Sequence, residues 1–147
     1  MKKICIISIA ILFLWFSMDM TGFSIGGLTL VESAWNSIDG VMWLMFLGLS
    51  ILFIFKEKTG KYILTIFVLL WTVIQFVFHW RYTLFGASEQ KIISYNRYFK
   101  ETYHIIPESD KILIPDLYHI VLFLLIIETL ICLILFLNNK KEYKYEL

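Results

Sequence analysis

The residues of this chain that could do chemistry are few, and most lie inside or at the ends of apolar runs. Glu128 is 11 residues from Leu117 and nine from Leu137 in an otherwise apolar stretch. At about 1.5 Å of rise per helical residue, that places it near the middle of a bilayer-spanning helix. A charged carboxylate there costs at least about 2.5 kcal/mol on insertion scales. No Lys or Arg lies within the four apolar stretches Ile4 to Met18, Val41 to Phe55, Tyr62 to Trp80 and Leu117 to Leu137. Glu128 is therefore expected to be carried as the neutral acid. Two roles suit it: a proton or cation site in a transporter, or a hydrogen bond that glues two helices together.

A second set of polar residues recurs along the third stretch. Thr65, Thr72, Gln75, His79 and Tyr82 follow one another at seven, three, four and three residues, which is one face of a helix. Lipid offers such a stripe no hydrogen bonds, so it should turn toward the interior of a bundle. Thr72 falls level with Glu128, and Gln75 comes one turn further out. The stripe reads either as a hydrogen-bonded seam or as the lining of a small transporter or ligand-binding bundle built on Glu128, Gln75 and His79.

The third set is the histidines. His79 ends the third stretch, His119 begins the fourth and His104 lies in the segment between, so all three belong to the same end of a bundle. With Asp116 they offer three imidazoles and a carboxylate, which could ligate zinc or a similar cation, or place two imidazoles on a haem. No HxxxH or HxxE spacing preorganises them, and interfacial histidines that bond loop carbonyls are the plainer reading. His119 and Glu128 are nine residues apart, near 180° around a helix, so they cannot line one narrow channel.

Positioning these residues falls to the apolar stretches. The chain has 147 residues, 59% hydrophobic and 18% aromatic, with a mean hydropathy of +0.75. An ordinary soluble domain is about half apolar. We expect an all-α integral membrane protein: one domain over 1–147, a bundle of about four transmembrane helices near 4–20, 39–55, 62–81 and 117–137. Loops 21–38 and 82–116 then lie on one side and loop 56–61 on the other. The last two stretches have the roughly 20 residues that about 30 Å of hydrocarbon demands, whereas the first two must recruit flanking residues.

Basic residues set the orientation, because Lys and Arg in short loops resist translocation. Lys2, Lys3, Lys56, Lys58, Lys61, Lys140, Lys141 and Lys144 put eight of them in three short segments, against five diluted over 81–116. Both termini are thus expected in the cytoplasm. Met1-Lys2-Lys3 before an apolar run also describes a signal peptide, but no A-x-A cleavage pattern follows near Ser17 to Gly27. Phe23 to Leu30, interrupted by Gly26-Gly27, suits a small β-hairpin. Ser88 can cap an amphipathic helix running to Tyr103, with Ile92, Tyr95, Phe99, Tyr103 and Ile106 on one face, lying in the membrane interface or packed as a lid. Asp116 stands where a cap for the last helix belongs.

Other chemistry is excluded or unsupported. A net charge of +1 without a basic stripe gives no footprint for nucleic acid. Cys5 and Cys132 lack CxxC spacing, so thiol-redox work is not expected. No nucleophilic triad or Gly-rich phosphate loop appears. Eleven Lys against two Arg, with much Ile, Phe and Tyr, suggests an AT-rich bacterial genome. The sequence reads first as a small non-enzymatic protein of a bacterial cell membrane, of accessory or immunity type, that meets lipid and a membrane or extracytoplasmic protein partner. A small transporter or ligand-binding bundle comes second, and a metal or haem protein third. Outside that third reading no cofactor is expected.

Overall fold

The computed structural model describes residues 1–139. Lys140, Lys141 and Lys144, used above for orientation, lie outside the described residues. The chain is mostly helical: α1 (Lys2–Thr21), α2 (Ile38–Phe55), α3 (Glu57–Phe85), α4 (Glu89–Tyr98) and α5 (Leu117–Asn138), with β1 (Phe23–Ile25) and β2 (Leu28–Val31) between α1 and α2. Helices α1, α2, α3 and α5 are long and apolar enough to cross a membrane.

Local chemistry sets most boundaries. Ser37 caps α2 by accepting from Asp39 N at 3.0 Å, and Ser88 caps α4 by accepting from Lys91 N at 3.4 Å. Asp116 caps α5, its Oδ1 accepting from His119 N at 2.9 Å. β1 and β2 pair antiparallel about Gly26 and Gly27, with φ of 56° and 87°. A two-residue hairpin with both central φ positive favours glycine at both positions.

Three expected boundaries differ. The loop foreseen at 56–61 shrinks to Lys56, and α3 begins at Glu57. Glu57 in the first turn suits the positive end of the helix dipole, and Gly60 lets that turn lie directly on the backbone of Phe53. At its other end α3 runs past 81 to Phe85, held where Thr83 Oγ1 donates to Leu113 O at 2.6 Å. The helix after Ser88 stops at Tyr98 instead of Tyr103. Thr102 folds back, its N–H and hydroxyl both donating to Phe99 O, and Tyr103 N then donates to Thr29 O of β2 at 2.7 Å.

The four long helices form a closed ring in the order α1, α2, α3, α5, each packed on its neighbours. Trp71 of α3 fills the centre, with ring centroids 4.6 Å from Phe16 of α1 and 5.5 Å from Phe46 of α2. Toward the α2–α3 turn, Phe53 and Phe136 meet edge to face at 5.8 Å across the ring. Lys2 Nζ pairs with Glu57 Oε2 at 2.9 Å, so the start of α1 and the α2–α3 turn share one end. The hairpin, α4 and the 99–116 segment close over the other, here called the hairpin end. There α4 buries Ile92 and Tyr95 on the bundle, the arrangement of a packed lid.

Candidate functional site

Beneath that lid a partly open cavity of about 160 Å³ lies at the hairpin end. Its walls draw one polar residue after another from separate elements: Asp19 of α1, Asp39 of α2, Gln75 and His79 of α3, Asp116 and His119 at the start of α5. Aromatic rings of Tyr98, Phe99 and Tyr118 complete it. A second cleft of about 360 Å³ shares Asp39, Gln75, His79, Tyr98 and Phe99 with the first, and adds the apolar Ile38, Ile74 and Phe78. A polar chamber and a greasier one therefore meet at Gln75 and His79.

Both residues lie where α3 changes its winding, Gln75 as the last residue before the change and His79 within it. A π-helical turn covers Phe76–Trp80 and carries His79. Such widened turns shift the phase of a helix and recur at functional sites. The stripe expected from spacing splits. Thr65 and Thr72 spend their hydroxyls on Lys61 O and Val68 O of their own helix. Gln75 and His79 line both cavities, while Tyr82, beyond the π-helical turn, is half-buried and lines neither, its ring 5.4 Å from Lys91 Nζ.

The hydrogen bonding of the site is dominated by Asp116, which is fully buried. Its Oδ1 takes two bonds from one residue: His119 N and, at 2.6 Å, His119 Nδ1. Burial pushes the Asp116 carboxyl up, but the His119 hydrogen bonds and charge outweigh that, so it lies below the ordinary carboxylate range. The His119 ring stacks on His79 with centroids 4.2 Å apart and planes at 27°. His79 Nδ1 in turn lies 3.0 Å from Tyr95 Oη. Burial first, and the Asp116 charge second, push the Tyr95 phenol up. As a neutral phenol it donates to His79 Nδ1, which selects the Nε2–H tautomer.

Three of the polar atoms around the cavity are buried without a hydrogen-bond partner: Gln75 Oε1, Asp116 Oδ2 and Tyr118 Oη. The Thr102 hydroxyl stands near Asp116 but donates to Phe99 O at 2.8 Å, which leaves Oδ2 free. Buried polar atoms are nearly always paired, so each orphan calls for an explanation.

Of the expected cluster, His79, His119 and Asp116 meet, and His104 does not. His104 Nε2 donates to Phe99 O at 3.1 Å and faces Glu108 at 3.6 Å, away from the cavity. Among the described residues no three His, Cys, Asp or Glu side chains are placed to hold a metal. Stacked imidazoles explain part of this. Ring lone pairs lie in the ring plane, so two stacked rings present them side by side rather than at one point, and each Nδ1 already has a partner.

Glu128 is elsewhere. Its Oε1 accepts from Ser8 Oγ of α1 at 2.7 Å and from Cys132 Sγ at 3.3 Å. It hydrogen-bonds to neither Thr72 nor Gln75 and is exposed. Its partner is Ser8 of α1, not the Thr72 and Gln75 face of α3 that the counting along the spans sets level with it. Glu128→Gln should retain both accepted bonds and change stability by less than about 1 kcal/mol. Glu128→Lys loses both and should cost about 2.5 kcal/mol. Unfolding of the detergent-purified variants measures both.

The chain matches no family model, no curated protein and no solved structure. Function is therefore argued from the cavity itself. No spacing marks Asp19, Asp39, Tyr98 or Tyr118 as site residues, and the spacing that sets Tyr95 on the apolar face of its helix does not foretell its bond to His79. The signal the sequence holds is the gathering of acids at helix ends on one side, with Asp19, Asp39 and Asp116 each at the hairpin end of a different helix.

Proposed function

We propose that this is a non-enzymatic membrane protein of four spans, with both termini in the cytoplasm of a bacterial cell, whose extracytoplasmic cavity binds a small amphiphile carrying an ammonium group. The observation that carries the reading is the convergence of the unpartnered Gln75 Oε1 and Asp116 Oδ2 on one cavity that Asp19 and Asp39 also line. These are acceptors and acids, so the occupant must bring N–H or O–H donors and positive charge. The aromatic faces of Tyr98 and Phe99 suit a cation as well. The adjoining apolar cleft, toward Ile38, Ile74 and Phe78, accommodates a hydrocarbon portion. At about 160 Å³ the polar chamber is smaller than the roughly 300 Å³ at which drug-sized pockets begin, so the head group is small.

Thermal unfolding of the purified protein with primary alkylamines, alkyl alcohols and alkyl carboxylates of equal chain length tests this. Amines should raise the transition, carboxylates should not, and Gln75→Leu should abolish the amine effect. Equal shifts from carboxylates, or none from amines, would refute it. Orientation is tested by Lys58→Cys and Lys100→Cys in intact cells, where an impermeant thiol reagent should label position 100 and spare 58.

A second reading, docking of a protein partner, draws on the hairpin tip. Ile25 and Leu28 flank the Gly26-Gly27 turn and are 67% and 59% exposed. Apolar side chains on a protruding turn suit a partner or the lipid interface. Co-purification that Ile25→Asp abolishes would support the partner.

A further inference from the structure

Glu128 stands on a face that the cavity does not use. Along α5, Leu124, Glu128, Ile131 and Leu135 are all exposed and follow at four, three and four residues. That is the spacing of a helix seam packed against another helix. Ile4 and Ile11 of α1, four before and three after Ser8, extend the strip beside the Glu128–Ser8 bond and are 53% and 48% exposed. The strip is apolar except for one carboxyl group at its centre.

That carboxyl is half satisfied. Ser8 and Cys132 both donate to Oε1, and Oε2 has no hydrogen-bond partner among the described residues. At hydrocarbon depth Oε2 needs a hydrogen-bonding partner, and lipid tails contain none.

We propose that a second copy of this chain supplies it: two copies pair through the α1–α5 face, with their Glu128 acids hydrogen-bonded to each other. Symmetry favours this occupant over another chain. Two copies inserted in the same direction are related by an axis along the membrane normal, so each Glu128 meets its own counterpart at the same depth. Two carboxyl groups with a proton between their Oε2 atoms are donor and acceptor to each other, so this residue is complementary to its own copy. The flanking Leu124, Ile131 and Leu135 then face their counterparts as well, and the single polar position fixes the register. The inference rests on reading the four helices as membrane-spanning and is independent of the cavity ligand.

Cysteine cross-linking in native membranes tests it, in a Cys5→Ser/Cys132→Ser background. Leu124→Cys and Ile131→Cys should give an oxidised species of twice the mass, and Ile66→Cys, equally exposed on α3, should not. Adding Glu128→Leu removes the interhelical hydrogen bond and should cut the dimer about tenfold, which is about 1.4 kcal/mol. Glu128→Gln, whose amide is also self-complementary, should retain it. Similar cross-linking at all three positions, none at 124 and 131, products only with other proteins, or a dimer indifferent to Glu128→Leu would overturn the proposal. Should Glu128→Leu fail to fold, the contrast between positions 124 or 131 and 66 decides. Alkaline extraction of the same membranes reports separately whether the chain is integral, so failure of that reading is told apart from failure to dimerise.

Discussion

Asp116→Ala is expected to lower the unfolding free energy by about 3 kcal/mol, as the sum of two losses at one side chain. The first is the helix cap. Oδ1 accepts from His119 N at 2.9 Å, and replacing an Asp cap by Ala typically costs about 1 kcal/mol. The second is the 2.6 Å bond from His119 Nδ1. Bonds to charged groups contribute about 1.5 to 3 kcal/mol, and the imidazole N–H left behind is only slightly exposed. Asp116→Asn separates the two: the amide still caps, so it should recover about 1 kcal/mol while the charge-assisted bond stays lost. Chemical unfolding of the three proteins in one detergent measures the differences.

The same carboxylate gives acid sensitivity a definite sign. Its folded-state pKa is depressed below the ordinary 3.8. Stability from Asp116 is thus fully present above pH 3.8 and is lost as pH falls from there through the lower folded value. Asp19 of α1, His79 of α3, Tyr95 of α4 and His119 of α5 all lie in its electrostatic neighbourhood. The wild type should therefore lose stability below pH 4 faster than Asp116→Asn.

How far the sequence foretold this structure varies with the range of the interaction. Four apolar helices, the Gly26-Gly27 hairpin and the caps at Ser88 and Asp116 are written in hydropathy, φ requirements and side-chain oxygens, all of which act within a few residues. That His79, His119 and Asp116 share one end followed from counting along spans. Their stacking did not, because it depends on the π-helical turn at Phe76–Trp80, and no residue type announces one. The fate of Tyr82 was missed for the same reason, since the period-3.6 stripe that included it assumes an unbroken phase. Glu128 was found by its cost. Its partner, Ser8, lies 120 residues earlier in the chain and is a common residue, so only the packing of α1 on α5 reveals the pair.

Gly60 illustrates a contact whose importance is invisible until the packing is known, and its replacement should have the largest effect of any single change. Gly to Ala within a helix usually gains up to about 1 kcal/mol, because glycine loses more backbone entropy on folding. Gly48, inside α2, has nothing within 4 Å of where a Cβ would stand, and Gly48→Ala should show that gain. At Gly60 the sign reverses. A Cβ there would overlap the backbone of Phe53 and Leu52, which cannot rotate away as a flexible side chain could. The α2–α3 turn, with only Lys56 between the helices, has no slack to let them separate. Moving them apart would also loosen Phe53, which is fully buried against Phe136 of α5. Overpacking of this kind costs about 1 to 3 kcal/mol for an added methyl group and more for a longer side chain. Gly60→Ala should thus destabilise by about 2 kcal/mol and Gly60→Leu by about 4 kcal/mol or more, which is much of the roughly 5 to 15 kcal/mol that holds a typical protein folded. Unfolding of Gly48→Ala, Gly60→Ala and Gly60→Leu in a single detergent measures all three. Opposite signs for the two alanine variants are the expected result, and a Gly60→Ala protein as stable as the parent would mean that α2 and α3 are not in contact at Phe53.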